Sequence, residues 1–304
     1  MDRKPKIMCD SSSFNHLVPS VWSDSRYGIR KEVISFNFKS MNKASECSKC
    51  LVCIDAVENL NGRPTSYLVK QLNTEQWIEM NTAVTPIDYL VELIVRNMFC
   101  GETSKCAIQT KSGIEIKFTI TLLDDDCGPY LFELTAKELF DWAKKCKENG
   151  VVMFKEYSSF AQTYFNKAAK ALISFKPFSG LRETEDGISP QDMQTLFDTI
   201  SLNIAACLIK EQRYEDVLHV LGDITDREDT IVEKAIYRRA TAHFHLKQFE
   251  EAKYQTDRIV KPSAGKQQTL NKDILALHKL IIDEWKIYNN EYTNMVKKML
   301  SLDK

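Results

Sequence analysis

Apolar residues fall into two regimes along this chain. Up to about residue 125 they come in short runs rich in β-branched and aromatic side chains: "KEVISFNFK", "KCLVCIDAV", "PTSYLVKQL" and "IEIKFTITLL". Such runs predict strands. Turn signals separate them, at Gly62 in "NLNGRP" and at Gly113 in "KSG". One segment differs. In "PIDYLVELIVRNMFCGE", Pro86 suits a first helical turn, Gly101 suits a stop, and Leu90, Leu93, Ile94 and Met98 recur at helical spacing. This half therefore predicts an α+β domain, a sheet holding one helix.

From Leu134 the period becomes helical. "ELTAKELFDWAKKCKENGVVMF" places Thr135 and Glu138 as a capping box. Near the end, Ile274, Leu277, Ile281, Trp285, Tyr288, Tyr292 and Met295 form one stripe, predicting a long amphipathic helix. The domain boundary is expected near residues 126–136.

Within the helical half the sequence repeats. Aligning "SLNIAACLIKEQRYEDVLHVLGDI" with "IYRRATAHFHLKQFEEAKYQTDRI" sets Ala205 over Ala240, Tyr214 over Phe249, Val217 over Ala252, Leu221 over Thr256 and Ile224 over Ile259. An earlier copy runs through "CKENGVVMFKEYSSFAQTYFNKAAKAL", with Gly150, Phe154, Ala161, Phe165 and Ala168 at the same kinds of position. A small residue, an aromatic at the turn and small or apolar residues in a second helix, with a period of about 34 residues, resemble the tetratricopeptide repeat. The expected fold is an α+β sheet domain followed by an all-α solenoid of three helix pairs and a long C-terminal helix. The expected boundaries are a flexible segment over 1–20, the sheet domain over 21–126, repeats over 134–265 (about 134–172, 191–226 and 231–262), and the final helix over 268–304.

Composition narrows the chemistry. The 304 residues carry a formal net charge of −1, with 43% hydrophobic and 27% charged residues. A near-neutral chain is not expected to bind nucleic acid or membrane surfaces in general, so any anion site is local. "MDRKPKIMCDSSSFNH" has no apolar run behind its cations, so it does not read as a signal peptide, and no transmembrane helix is expected. Nine cysteines, an odd number, are expected as thiols in a reducing compartment, cytoplasm or nucleus.

The repeat register gives meaning to a few cations. Lys234 and Arg238 lie four apart on one face of a first helix, and Asn203 occupies the Arg238 position one repeat earlier. Lys147 lies on the first helix of the earliest copy. Charge-assisted hydrogen bonds from such a set suit a peptide ending in a free carboxylate. A single lysine would read as solvated surface; the shared register is what points to a site. The pattern resembles the two-carboxylate clamp of co-chaperones, which holds the C-terminal Glu-Glu-Val-Asp of heat-shock proteins 90 and 70. Family members read Lys-x-x-x-Asn, then Asn, then Lys-x-x-x-Arg. Lys147, Asn203, Lys234 and Arg238 match, whereas Val151 stands where the first Asn belongs. Arg239 has no counterpart and is expected to face outward.

The first half, through "LIVRNMFCGETSKCAI" and "FTITLLD", resembles the FK506-binding immunophilins, and with the repeats their divergent FK506-binding protein-like co-chaperone branch. Active members isomerise X-Pro bonds in an aromatic-walled pocket. The resemblance puts Val91 or Leu90 at the floor Trp, shortens the loop to "QTKSGIE", and keeps only Phe118 of the walls. It therefore implies a degenerate domain without catalytic residues or isomerase activity. The implied function is a co-chaperone or scaffold holding a chaperone tail and an unidentified client. An active isomerase, or an adaptor for another acidic peptide, are the alternatives.

Other signals carry less. Cys47, Cys50 and Cys53 in "CSKCLVC" lack a second cysteine pair or a nearby His and are expected as small apolar residues, with Cys47 and Cys53 sharing one strand face. His243 and His245 lie on different sides of a helix, so structural roles are expected. No cofactor or metal is expected. The final helix is a second candidate partner surface; relatives bind calmodulin near this point, but "YTNMVKKMLSLDK" has too few cations to imply it.

Overall fold

The computed structural model describes residues 20–37, 39–40, 43–68, 74–224, 230–260 and 272–302. Except for Ser20, the N-terminal segment expected over 1–20 lies outside them. Contacts divide the chain into two units, Met1–Met153 and Phe154–Lys304.

The first unit holds strands β1 (Val21–Asp24), β2 (Ile29–Phe36), β3 (Lys49–Glu58), β4 (Glu75–Glu79), β5 (Glu102–Gln109) and β6 (Glu115–Asp125), with helix α1 (Pro86–Val95) and helix α2 (Ala136–Phe154). The strands form one antiparallel sheet in the order β1-β2-β5-β6-β3-β4. Ile29, Val52, Ile54, Ile108, Ile116, Phe118 and Ile120 are buried, as are Ile87, Leu90, Val91, Ile94 and Val95 of α1. The expected sheet with one helix is thus present. Thr85 caps α1, accepting from the Asp88 amide at 3.1 Å, and Pro86 opens it. The helix stops at Val95, before Gly101. Gly101 has φ +92°, and a Cβ there would sit 1.7 Å from the Asn37 carbonyl oxygen, so only glycine fits.

Two readings need correction. "PTSYLVKQL" predicts a strand, yet residues 64–68 form none. The amides of Ser66 and Tyr67 donate instead to the Asp88 carboxylate, which withdraws them from any ladder. Cys47 precedes β3 rather than sharing a strand face with Cys53.

α2 begins with the expected capping box. The Glu138 amide donates to Thr135 Oγ1, and the Thr135 amide donates to the Glu138 carboxylate at 2.9 Å. Within the first unit, Lys145 pairs with Glu79, and Asn149 Nδ2 donates to the Asn81 carbonyl at 2.8 Å.

The second unit is helical: α3 (Ser158–Ile173), α4 (Glu183–Asp186), α5 (Pro190–Lys210), α6 (Tyr214–Val220), α7 (Thr230–His245), α8 (Phe249–Val260) and α9 (Lys272–Leu302). α3 packs on α5, α5 on α6, α6 on α7, α7 on α8, and α8 on α9. The repeat register explains this packing. Ala205 and Ala240 are fully buried, as are Val217 and Ala252, and Leu221 and Thr256. Small residues at these places let successive helices approach closely.

Candidate peptide-binding site

Helices α5 and α7 pack on each other. Asn203 lies on α5, half-buried; Lys234 and Arg238 lie one turn apart on α7. The Arg238 guanidinium donates through Nη1 to the Leu202 carbonyl at 2.5 Å, the residue before Asn203. The structure therefore brings Arg238 to the part of α5 that carries Asn203, with Lys234 one turn before it on α7. Lys147 is half-buried on α2, in the N-terminal unit.

The electrostatics of this patch are unbalanced. Burial draws the Arg238 pKa below its ordinary value, opposed by Cys207 and Tyr237. Arg nevertheless stays protonated at neutral pH. Among the described residues no carboxylate lies within ion-pair distance of Arg238 or Lys234. Four of the five guanidinium donors remain beyond the one given to Leu202. The Asn203 side chain has no hydrogen-bond partner among the described residues and offers both an acceptor and a donor. A carboxylate with a neighbouring carbonyl is the chemistry this patch can hold.

Arg239 corrects an expectation. It is half-buried and donates to the Leu221 carbonyl at 3.4 Å, rather than facing outward. α7 is packed by α5, α6, α8 and α9, which leaves only a narrow strip exposed. Lys234 lies on that strip. Val151 is 55% exposed. Asn149, two residues earlier on α2, donates to the Asn81 carbonyl and does not replace the missing Asn.

The resemblance puts the floor and one wall of an isomerase pocket at residues that belong to the core here. Val91 and Leu90 are buried, and Phe118 is a core residue. The buried Asp88 carboxylate accepts from the Ser66 and Tyr67 amides, the closest at 2.8 Å, and from Thr65 Oγ1. One turn on, Glu92 accepts from the amides of Asn81, Thr82 and Ala83 at 2.8–3.1 Å and from the Tyr67 hydroxyl at 3.1 Å. Burial and Glu92 push the Tyr67 pKa up, so it stays a neutral donor. Sequence reading missed these two carboxylates. Their four-residue spacing on an otherwise buried helix was the available signal.

A cavity of about 520 Å³ opens elsewhere in this unit, lined by Arg30, Glu32, Glu58, Lys105, Glu115 and Lys117 among others. It mixes three cations with three acids and has no aromatic wall beyond Phe118. Among the described residues, no three His, Cys, Asp or Glu side chains are grouped to hold a metal. His243 Nδ1 meets Gln248 Oε1 at 2.7 Å, and His245 stacks on Tyr214 at 4.5 Å, so both have structural partners.

Comparison with known proteins agrees with this architecture. A family model described as "BDBT FKBP like N-terminal" matches residues 22–125, and "Bride of doubletime-like, TPR domain" matches residues 135–219. Protein Bride of doubletime of Drosophila melanogaster is 34% identical over 289 residues, covering 93% of this chain and 99% of that protein. Peptidyl-prolyl cis-trans isomerase FKBP4 of Homo sapiens is 25% identical over 163 residues, 53% of this chain but 33% of that protein. A crystal structure of residues 1–211 of CG17282 superposes with a TM-score of 0.62 at 37% identity, covering 66% of this chain and 98% of that one.

Proposed function

Because the chain belongs to the Bride of doubletime family, whose members join an FKBP-like domain to tetratricopeptide repeats, we propose that it is a non-catalytic adaptor that grips the acidic C-terminal tail of a chaperone. The architecture is that of a scaffold. The finer reading is a Glu-Glu-Val-Asp tail, that of heat-shock protein 90 or heat-shock protein 70, held by Lys147, Asn203, Lys234 and Arg238. Cytoplasm, or nucleus, is the matching compartment. The observation that carries this reading is Arg238, a half-buried cation with no carboxylate beside it among the described residues, one turn from exposed Lys234. A buried charge without a counter-ion is costly, and an incoming carboxylate offsets that cost.

Fluorescence anisotropy with a labelled peptide ending in Glu-Glu-Val-Asp tests the proposal. Saturable binding is expected, weakened at least tenfold by Arg238→Glu, by Lys234→Ala and by amidation of the peptide's C-terminus. Equal binding of the amidated peptide would sink the clamp and leave an adaptor for some other acidic segment.

The lack of catalysis is supported by Val91 and Leu90, buried aliphatic side chains where active members carry the floor Trp, and by the commitment of Asp88 and Glu92 to backbone amides. A proline-peptide isomerisation assay decides this. Turnover that FK506 blocks would establish the enzymatic alternative, the activity in the name of the FKBP4 relative.

A further inference from the structure

The stripe on α9 is only half used by the fold. Ile274, His278, Ile281, Trp285, Tyr288, Tyr292, Met295 and Met299 are spaced alternately four and three residues apart, the seam of a coiled coil. The first half of that seam packs on the repeats. Ile274 meets Ile236 and Ile259, and Ile281 meets Ala240 and Ala252. His278 Nδ1 meets Thr256 Oγ1 at 2.7 Å, and Tyr288 reaches Phe249 with ring centroids 5.5 Å apart. Beyond that point the same seam is exposed among the described residues. Tyr292 is 56% exposed, Met295 48% and Met299 60%, with Leu300 beside them at 66%. An apolar seam kept in register past the last contact is surface that ordinarily has an occupant.

Charge selects the occupant. From Ile281 to Leu302 the helix carries three acids, Asp283, Glu284 and Glu291, all before Tyr292. Two of its three lysines, Lys297 and Lys298, come after it. All six of these side chains are exposed. The balance is neutral, which does not suit an anionic lipid surface. It is instead a gradient, acidic then basic, and a gradient is complementary to itself when reversed. A parallel pair would set acid against acid and base against base.

We infer that the exposed half of α9 pairs antiparallel with the same helix of a second copy of this chain, joining two adaptors through a two-fold seam centred between Tyr292 and Met295. Such an interface is isologous: one patch serves both copies and the assembly closes at two. The dimer presents two repeat units, so two chaperone tails, or one bivalent partner, can be held at once.

Sedimentation velocity on the full chain from 1 to 100 µM tests this. A concentration-dependent monomer–dimer equilibrium is expected, and loss of the dimer in Met295→Glu/Met299→Glu. Both side chains are exposed, so far-UV circular dichroism and the melting midpoint should be unchanged. Two charge variants give an independent arm that leaves the seam intact. Glu291→Lys, whose position lies nearest Lys297 and Lys298 of the other copy, and Lys297→Glu/Lys298→Glu should each be monomeric alone and form a 1:1 heterodimer when mixed. A monomer at every concentration overturns the inference, as does a dimer that survives the methionine substitutions. Co-sedimentation of a monomeric chain with phosphatidylserine vesicles, lost in Met295→Glu/Met299→Glu, would overturn it in favour of a lipid surface.

Discussion

Arg238 donates its guanidinium to the carbonyl of Leu202, and this bond ties the third repeat's first helix to the second repeat's first helix beside Asn203. A residue expected to serve a ligand thus also serves the fold. Arg238→Lys separates the two roles, because an ammonium cannot make parallel bonds to a carboxylate while holding a carbonyl. Peptide affinity should fall about tenfold, while the melting midpoint moves by no more than a few degrees. Equal losses of stability and binding would make Arg238 purely structural.

Val151 offers a test in the direction of gain. Asn at that position would supply the hydrogen bond the clamp lacks, worth about 1 kcal/mol, or roughly fivefold in affinity. Val151→Asn should tighten binding of a Glu-Glu-Val-Asp peptide by calorimetry. Its exposure makes the substitution neutral for stability.

Lys31 and Glu102 form an ion pair buried in the sheet domain, with Glu102 also accepting from Ser104 Oγ at 2.6 Å and from the Phe99 amide at 3.1 Å. Removing one partner leaves an uncompensated charge in a dry site. Lys31→Met should lower the unfolding free energy by about 3–5 kcal/mol. Urea denaturation checks it, and a loss under about 1 kcal/mol would contradict it.

Alkaline pH should destabilise the protein. Burial pushes Cys106 and Cys207 up to about 12, and burial aided by Glu46 pushes Cys47 up to about 11, against an ordinary value of 9.0. The unfolded chain releases these protons first. Their contribution is whole below pH 9 and is lost as pH rises through 11 to 12. Lys31, lowered by burial, contributes in the opposite sense, gaining as pH approaches 10.5. Three thiols against one amine give a net fall in urea midpoint between pH 9 and 11. A midpoint that rises over this range would contradict it.

Asp88→Ala should free the 65–68 segment. The Ser66 and Tyr67 amides lose a charged acceptor, costing about 2–4 kcal/mol. Hydrogen exchange at those two amides should accelerate well beyond the change at Ile94.

Much of the helical unit was legible because its signals are local. Thr135 and Glu138 are three apart, and the Ala205 and Ala240 positions recur at one offset. The sheet was harder to read. Inward-facing Glu102 and Ser104 break the apolar alternation of β5, and β4 turns Trp77 outward at 55% exposure while Gln76 faces in. Those inversions hide strands from pattern reading. Lys31 finds Glu102 across 71 residues, and Asp88 finds Ser66 across 22. No window of sequence contains such pairs. The four clamp positions were named from register and resemblance, and Arg239 was misplaced because one helix taken alone does not show how many neighbours surround it.

The carboxylates of Asp88 and Glu92 have a pharmacological corollary. A macrocycle shaped for catalytic immunophilins would find aliphatic side chains where it needs an aromatic floor, beside carboxylates already committed to the amides of Ser66, Tyr67, Asn81, Thr82 and Ala83. Such drugs should therefore spare this protein at concentrations that saturate a catalytic immunophilin.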